Sequence, residues 1–220
     1  MTSSPPQIPE LCRRCEKPLD LCVCAAIDPV DTRVAVVILR HPQEQDRVLG
    51  TAKIATLQLV NSVMKTGLSW RNLEKVVGQP VDPKRWGILY LGTQQTSEPL
   101  PDAPLTVLTK KGGVAEDQQQ TLHDMEGIIL LDGNWQQAKA LWWRNAWMLK
   151  CRRLVLKPPR VSFYGNLRKE PRRESVSTIE AAAYTLAVLE EDKRLPEKIL
   201  KPFQLLLENA RKRGGKTSQD

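Results

Sequence analysis

The chain has 220 residues, with 33 Lys and Arg against 25 Asp and Glu, which gives a formal net charge of +8. This length predicts one principal domain with a sizeable core. The N-terminus lacks the basic-then-apolar order of a signal peptide, and the longest apolar runs are too short to span a bilayer. We therefore expect a cytoplasmic protein without a membrane partner.

Four of the five cysteines lie close together near the N-terminus, as Cys12-Arg-Arg-Cys15 and Cys22-Val-Cys24. Thiols of a cytosolic protein stay reduced, so a disulfide framework is not expected. Four thiolates match the ligand set of a tetrahedral structural zinc site. We predict a four-cysteine metal-binding knob over residues 11–27, behind a disordered tail over residues 1–10. Free thiols or a redox pair are the alternatives, and iron could replace zinc.

The remaining chain shows alternating strand and helix signals. Apolar runs predict strands over residues 34–39, 87–91, 105–109, 127–131 and 153–156. Helical periodicity and capping signals predict helices over residues 44–64, 134–150, 178–192 and 196–211. This order predicts an α/β domain over residues 28–211 with a mostly parallel sheet flanked by helices, followed by a basic flexible tail over residues 212–220.

In such sheets, ligands bind outside the carboxyl ends of the strands. Here these ends carry Arg40-His41, Gly92-Thr93, Lys110 to Gly113, and Asp132-Gly133. The chain has neither a GxGxxG dinucleotide fingerprint nor a P-loop, so neither class of nucleotide site is expected. We expect the site at the four strand ends.

Basic residues are concentrated in the second half of the chain. Residues 139–173 contain eleven Lys or Arg and one acid, Glu170. Such a stretch fits binding to nucleic acid phosphates, and a solvated basic face is the alternative. The predicted RNA-binding residues are Arg144, Arg152, Arg153, Arg168, Lys169, Arg172 and Arg173.

Five motifs occur in order along the chain. They are Cys12-Arg-Arg-Cys15 with Cys22-Val-Cys24, Arg40-His41-Pro42-Gln43-Glu44, Leu131-Asp132-Gly133-Asn134-Trp135, Leu167-Arg168-Lys169-Glu170, and Ser177-Thr178-Ile179-Glu180-Ala181. Together they resemble the DTW-domain family of tRNA-uridine aminocarboxypropyltransferases, from Cys12 to about Leu189. The family signature has threonine where this chain has Asn134, and asparagine also hydrogen-bonds and caps helices.

The resemblance implies transfer of the 3-amino-3-carboxypropyl group from S-adenosylmethionine to N3 of a uridine in tRNA. It also implies kinship with the SPOUT-type α/β methyltransferases, whose sheet can be knotted. Two other functions stay open: a SPOUT-like RNA methyltransferase, and a non-catalytic tRNA-binding module.

The resemblance points to Asp132, Asn134 and Trp135 as catalytic residues. Asp132 could take the proton from uridine N3, steer the cationic groups of the donor, or only cap the following helix. Trp135 could stack on the target base, or belong to the core with Ala138, Trp142 and Leu149. Three further tryptophans, Trp142, Trp143 and Trp147, cannot all point inward at helical spacing, so one of them is expected to contact RNA or another subunit.

The predicted donor-binding residues come from the strand ends and from the last motif. They are His41, Glu44, Gly92, Thr93, Lys110, Gly112, Leu131, Gly133, Thr178 and Glu180. For Thr178 and Glu180 the alternative is a helix capping box opened by Ser177.

Overall fold

The computed structural model describes residues 10–44, 48–89, 100–167 and 176–216. Several predicted site residues lie outside these ranges: Gly92, Thr93, Arg168, Lys169, Arg172 and Arg173. Nearly all of the tail predicted over residues 1–10 lies outside them too.

The described residues form one six-stranded sheet. Its strands are β1 (Ala35–Arg40), β2 (Ser62–Thr66), β3 (Trp86–Leu89), β4 (Leu105–Leu108), β5 (Gly127–Asp132) and β6 (Arg152–Leu156), in the order β2-β1-β5-β3-β6-β4. Every neighbouring pair is parallel except β4 with β6, which is antiparallel. The predicted α/β fold with a mostly parallel sheet is therefore confirmed, while a knotted, SPOUT-like connection stays a prediction.

Six α-helices accompany the sheet in the described ranges. They are α1 (Ala52–Gln58), α2 (Leu73–Val77), α3 (Gln118–His123), α4 (Trp135–Arg144), α5 (Thr178–Leu189) and α6 (Leu195–Lys216). The sequence patterns did not predict the short α2 and α3. The helix predicted over residues 134–150 ends earlier, because Asn145 interrupts it and a 3-10 helix, Ala146–Lys150, follows. Helix α6 continues to Lys216, beyond its predicted end.

The long helix predicted over residues 44–64 is wrong. The helix there, α1, has 7 residues, and Ser62 opens β2 instead. The Ser62 hydroxyl donates to the Leu59 carbonyl at 2.6 Å, beyond the end of α1. Parallel pairing with β1, starting at Val36 opposite Ser62, then satisfies the backbone of the segment. Pairing between distant strands thus outweighs the helical spacing of its apolar residues.

Alternate residues of β1 face two different cores. Val36 and Ile38 pack with α1, α5, α6 and the cysteine-rich segment, whereas Val37 and Leu39 pack with α2, α4 and the 3-10 helix. This period-two alternation places an apolar layer on each face of the sheet, as expected for strands buried on both sides. The edges of the sheet at the strand ends remain available for polar residues.

Within the described ranges, no helix combines the length and the apolar character needed to cross a membrane.

Candidate functional site

The carboxyl ends of β1 and β5 lie side by side. Arg40 and Asp132, the last residues of the two strands, are register partners. The His41 N–H donates to the Asp132 carbonyl at 3.0 Å, which extends the pairing past the strand ends. Leu131 precedes this edge and packs partly buried on the α4 side of the sheet. The predicted juxtaposition of the first and fourth strand ends is thus confirmed.

The side chain of Asp132 contacts the start of a distant helix. The Thr178 hydroxyl donates to Asp132 Oδ1 at 2.6 Å, across 46 residues of sequence. Thr178 is the first residue of α5. The hydrogen bond fixes the orientation of the carboxylate and brings the third and fifth sequence motifs into one place.

Asn134, not Asp132, caps α4. Its Oδ1 accepts from Gln137 N–H at 3.0 Å, and Gln137 Oε1 accepts from Asn134 N–H at 2.7 Å, which completes a capping box. The alternative in which Asp132 only caps the helix is therefore wrong. Gly133 has a φ of +152°, and a Cβ there would lie 2.8 Å from Gln137 Cβ. Glycine is thus required for this close turn.

His41 and Glu44 form the turn that closes β1. His41 is buried, and its Nδ1 accepts from the Gln43 N–H at 3.2 Å. The Glu44 N–H donates to the His41 carbonyl at 2.9 Å. A Cβ added at Gly133 would lie 3.4 Å from His41 Cβ, so this turn directly borders the Asp132–Gly133 turn.

Trp135 does not belong to the core. Its side chain is 40% exposed at the start of α4, and Leu149 is also exposed, whereas Ala138 is buried. The core alternative for Trp135 is therefore wrong, and its ring is accessible beside the Asp132 turn. Among the other tryptophans, Trp143 is strongly exposed, as expected for at least one of them.

Glu180 is fully buried at the start of α5. Its carboxylate accepts from the Ser177 hydroxyl and N–H at 2.6 and 2.8 Å, which forms the predicted capping box. It also accepts from the Ser162 hydroxyl at 2.7 Å and the Phe163 N–H at 2.8 Å. These contacts give Glu180 a structural role, holding the 162–164 segment against α5.

Sequence reasoning missed two residues that position α5. Thr51 is buried, and its Oγ1 accepts from the Ile179 N–H at 3.2 Å, across 128 residues. Ser162 contacts Glu180, as described above. Neither residue belongs to a motif quoted from the sequence, and contacts this distant along the chain leave no local signal.

Lys110 and Gly112 lie at the opposite edge of the sheet. Strand β4 runs antiparallel, so its last residue, Leu108, pairs with Arg153 near the start of β6. The expectation that this turn joins the other strand ends is therefore wrong. Lys110 and Gly112 do not line the edge that carries Asp132.

The described basic residues of the predicted RNA surface also lie away from Asp132. Arg144 ends α4, about 13.5 Å along the helix axis from its start. Arg152 and Arg153 open β6 at the amino edge of the parallel strands. The Arg153 guanidinium lies 5.6 Å from the centre of the Trp142 ring, a cation–π distance. These residues therefore flank the far end of α4.

The four N-terminal cysteines converge as predicted. Their sulfur atoms all lie within 4.8 Å of one another, with Cys12 Sγ 3.6 Å from Cys24 Sγ and Cys15 Sγ 3.8 Å from Cys22 Sγ. Sulfurs around a tetrahedral zinc, with bonds of about 2.3 Å, lie about 3.8 Å apart. The cluster can therefore hold a metal ion with little rearrangement.

The thiols of the cluster differ in acidity. Hydrogen bonds from the backbone of Cys15 and Arg14 lower the pKa of Cys12 to about 6. Desolvation raises the pKa of Cys24 to about 12. Without a cation the cluster does not carry four thiolates at neutral pH, so a bound metal would supply the charge that deprotonates them.

The fold and the site together define a class of protein. The DTW domain family model matches residues 9–211, and the chain belongs to that family. The family signature lies at the turn from β5 to α4, where Asp132 meets the ends of β1 and α5.

Curated relatives carry a common description. The chain is 30% identical over 203 residues to tRNA-uridine aminocarboxypropyltransferase 2 of Mus musculus, which covers 89% of this chain and 61% of the relative. It is 27% identical over 212 residues to the Drosophila melanogaster protein of the same description, and the alignment covers 94% of this chain and 77% of that relative. It is 25% identical over 209 residues to tRNA-uridine aminocarboxypropyltransferase A of Arabidopsis thaliana, and the alignment covers 83% of this chain and 74% of that relative. No solved structure matches the chain significantly.

Proposed function

We propose that this chain transfers the 3-amino-3-carboxypropyl group from S-adenosylmethionine to N3 of a uridine in tRNA. The names of the relatives support the reaction and the tRNA substrate. The observation that carries the proposal is the oriented carboxylate of Asp132, held by Thr178 at 2.6 Å where β1, β5, α4 and α5 meet. The cytoplasm is the proposed location.

Asp132 is the proposed general base. Uridine N3 carries a weakly acidic proton, and a positioned carboxylate can accept it. The N3 lone pair then forms a bond to the aminocarboxypropyl carbon attached to the sulfonium, the bond between that carbon and sulfur breaks, and the rest of the donor leaves as a neutral thioether. The Thr178 hydroxyl keeps the carboxylate in place while Trp135, exposed beside it, stacks on the target base.

The turns around Asp132 are the proposed donor site. The donor carries an amino group and a carboxylate besides its sulfonium. Glu44, in the turn after β1, is the proposed partner of the amino group, and the adjoining His41 and Gly133 are the proposed wall of the site. The N-terminal end of α5 at Thr178 favours the carboxylate through the helix dipole.

The cysteine cluster is the proposed zinc site, held by Cys12, Cys15, Cys22 and Cys24. When bound, zinc would supply four metal–sulfur bonds that fix this segment, as in structural zinc sites with four cysteine ligands. Leu21 and Val23, between and beside the ligands, are fully buried in the core that also contains α5 and α6. The proposed role of the metal is therefore to support the fold.

Nucleoside mass spectrometry tests the proposal. The pure protein is incubated with unmodified tRNA and S-adenosylmethionine, the tRNA is digested, and modified uridine is measured. We expect the aminocarboxypropyl adduct from the wild type. We expect a loss of about 10²–10⁴-fold in rate from Asp132→Asn, the range for a lost general base. Asp31→Asn, at an exposed position before β1, is the matched control and should transfer normally.

The other outcomes each contradict part of the proposal. A methyl adduct would favour the RNA methyltransferase. No product, with tRNA and donor both shown to bind by calorimetry, would favour the tRNA-binding module. Full activity of Asp132→Asn would refute the role as base, and equal loss of tRNA affinity and of transfer would make Asp132 a binding residue.

A further inference from the structure

Two exposed tryptophans and a lysine lie in a row along α4. Trp135, Lys139 and Trp143 follow one another at intervals of four residues, so they share one face of the helix. All three side chains are exposed, and Trp143 is 72% exposed. The row begins three residues after Asp132 and runs away from it, with its ends about 12 Å apart along the axis.

The helix that carries this row is anchored at both ends. Its first turn is closed by the Asn134–Gln137 capping box. After its last turn, the buried Asn145 donates to the carbonyls of Leu141 and Leu68 at 2.7 and 3.0 Å and accepts from the Trp70 N–H at 2.8 Å. The tryptophans are therefore presented on a fixed element, which lowers the entropy that a partner would have to overcome.

The inward face of α4 already meets the core. Ala138 and Leu141 are buried there, and Trp142 packs partly buried beside them. Lys139 and Trp143 lie on the outer side of the helix, and Trp135, about 20° from Trp142 around the axis, lies between the two sides. Large aromatic rings on the outer face of a helix are not needed for its packing, and adjacent exposed apolar groups indicate an interaction site.

The charge around this face identifies the partner class. Residues 133–169 contain no acidic residue. Arg144 and Lys150 are exposed beyond Trp143, and Arg153 lies over the Trp142 ring. Exposed aromatic rings between cations fit a single-stranded nucleic acid, whose bases stack on the rings while its phosphates meet the charges. A protein partner would need a strongly acidic surface with pockets for both rings.

We propose that the face of α4 formed by Trp135, Lys139 and Trp143 binds the modified uridine and the unpaired RNA nucleotides adjacent to it. Trp135 stacks on the modified uridine, Trp143 stacks on a base further along the strand, and Lys139 contacts the phosphate backbone between them. The inference rests on the proposed function for the identity of the RNA as tRNA.

The test measures RNA binding without any donor or transfer. Dissociation constants for unmodified tRNA and for a short oligouridylate are measured by fluorescence anisotropy at several salt concentrations. Trp143→Ala should weaken binding of both RNAs by about 5- to 150-fold, as for the loss of one stacked base, without changing the salt dependence. Trp143→Tyr should recover most of the affinity because it restores an aromatic ring.

Lys139→Ala should change the salt dependence instead. For single strands, one lost phosphate contact makes the plot of log association constant against log salt concentration less steep by about 0.7. Lys201→Ala, exposed on α6 at the other face of the sheet, is the matched control and should leave affinity and slope unchanged. Val60→Ala, exposed beside β2, is the corresponding apolar control.

Two results would overturn the inference. If Trp143→Ala binds both RNAs normally, α4 is not an RNA surface, even when the wild type is an active transferase. If the same variant instead changes the sedimentation mass from dimer to monomer, the face is a contact between copies of this chain. A protein that binds RNA through Trp143 but makes no product would retain the inference and refute the proposed reaction.

Discussion

Glu180→Ala would remove a carboxylate on which the start of α5 depends. The side chain is fully buried and accepts four hydrogen bonds, two from Ser177 and one each from Ser162 and Phe163. Thr178, which contacts Asp132, lies between Ser177 and Glu180 in the same turn. The substitution therefore tests whether Glu180 supports the site through the fold or by contacting the donor.

The size of the effect follows from the four contacts. Hydrogen bonds to a charged group contribute about 1.5–3 kcal/mol each, and burying the charge costs several kcal/mol in the opposite direction. We expect Glu180→Ala to lower the free energy of unfolding by about 3–5 kcal/mol, as for other broken buried charge networks. Glu180→Gln can keep three acceptor contacts at the Oε2 position and lose only that of Phe163, so about 1–3 kcal/mol is expected.

Urea unfolding followed by circular dichroism measures these differences. The urea midpoint should be highest for the wild type, lower for Glu180→Gln and lowest for Glu180→Ala, and the dependence of the unfolding free energy on urea concentration should be the same for all three. Thr178→Val is the control, because it removes the hydroxyl at Asp132 while leaving the Glu180 contacts intact. A Glu180→Ala protein within about 1 kcal/mol of wild type would refute the structural role, which predicts a loss several times larger. Loss of donor binding in such a stable variant would assign Glu180 to the donor site.

Two further predictions concern local stability. Removing metal from the full chain with a chelator should release about one zinc ion per chain and lower the melting temperature, since the buried Leu21 and Val23 adjoin the ligands. Elemental analysis measures the zinc, and a thermal melt measures the stability. A metal-free Cys15→Ser protein with the same melting temperature as the metal-loaded wild type would contradict the prediction. Asn134→Ala should lower the unfolding free energy by about 1 kcal/mol through loss of the helix cap, whereas Asn134→Thr should change it by only a few tenths. Urea midpoints compare the two variants, and equal losses would show that the cap is not what Asn134 contributes.

The parts of the fold that the sequence predicted are those with local signals. Strand β5 coincides with an uninterrupted apolar run, and the Ser177–Glu180 capping box lies within four consecutive residues. The cysteine cluster needs only short spacings, because its ligands lie between Cys12 and Cys24. The turn from β5 into α4 was also visible, since a polar cap directly follows the apolar strand.

Strand direction and strand pairing had no such signal. Helical spacing across residues 44–64 predicted a helix, yet Ser62–Thr66 became an edge strand because β1 offered it a parallel partner. Likewise, the glycine-rich turn at Lys110 resembled the other strand ends, but β4 runs in the opposite direction. The direction of a strand decides at which edge of the sheet its final turn lies, and that direction depends on how the chain connects one strand to the next.

The sequence by itself determined the candidate site residues: a carboxylate after a buried strand, four clustered thiols and a basic second half. The tertiary structure alone decided which of them meet. It joined Asp132 to Thr178, buried Glu180 among partners from another segment, and separated Lys110 and Arg153 from the Asp132 edge. The physical reason is that local propensities act between neighbours along the chain, whereas hydrogen bonds and packing between distant segments form only once the sheet fixes their positions.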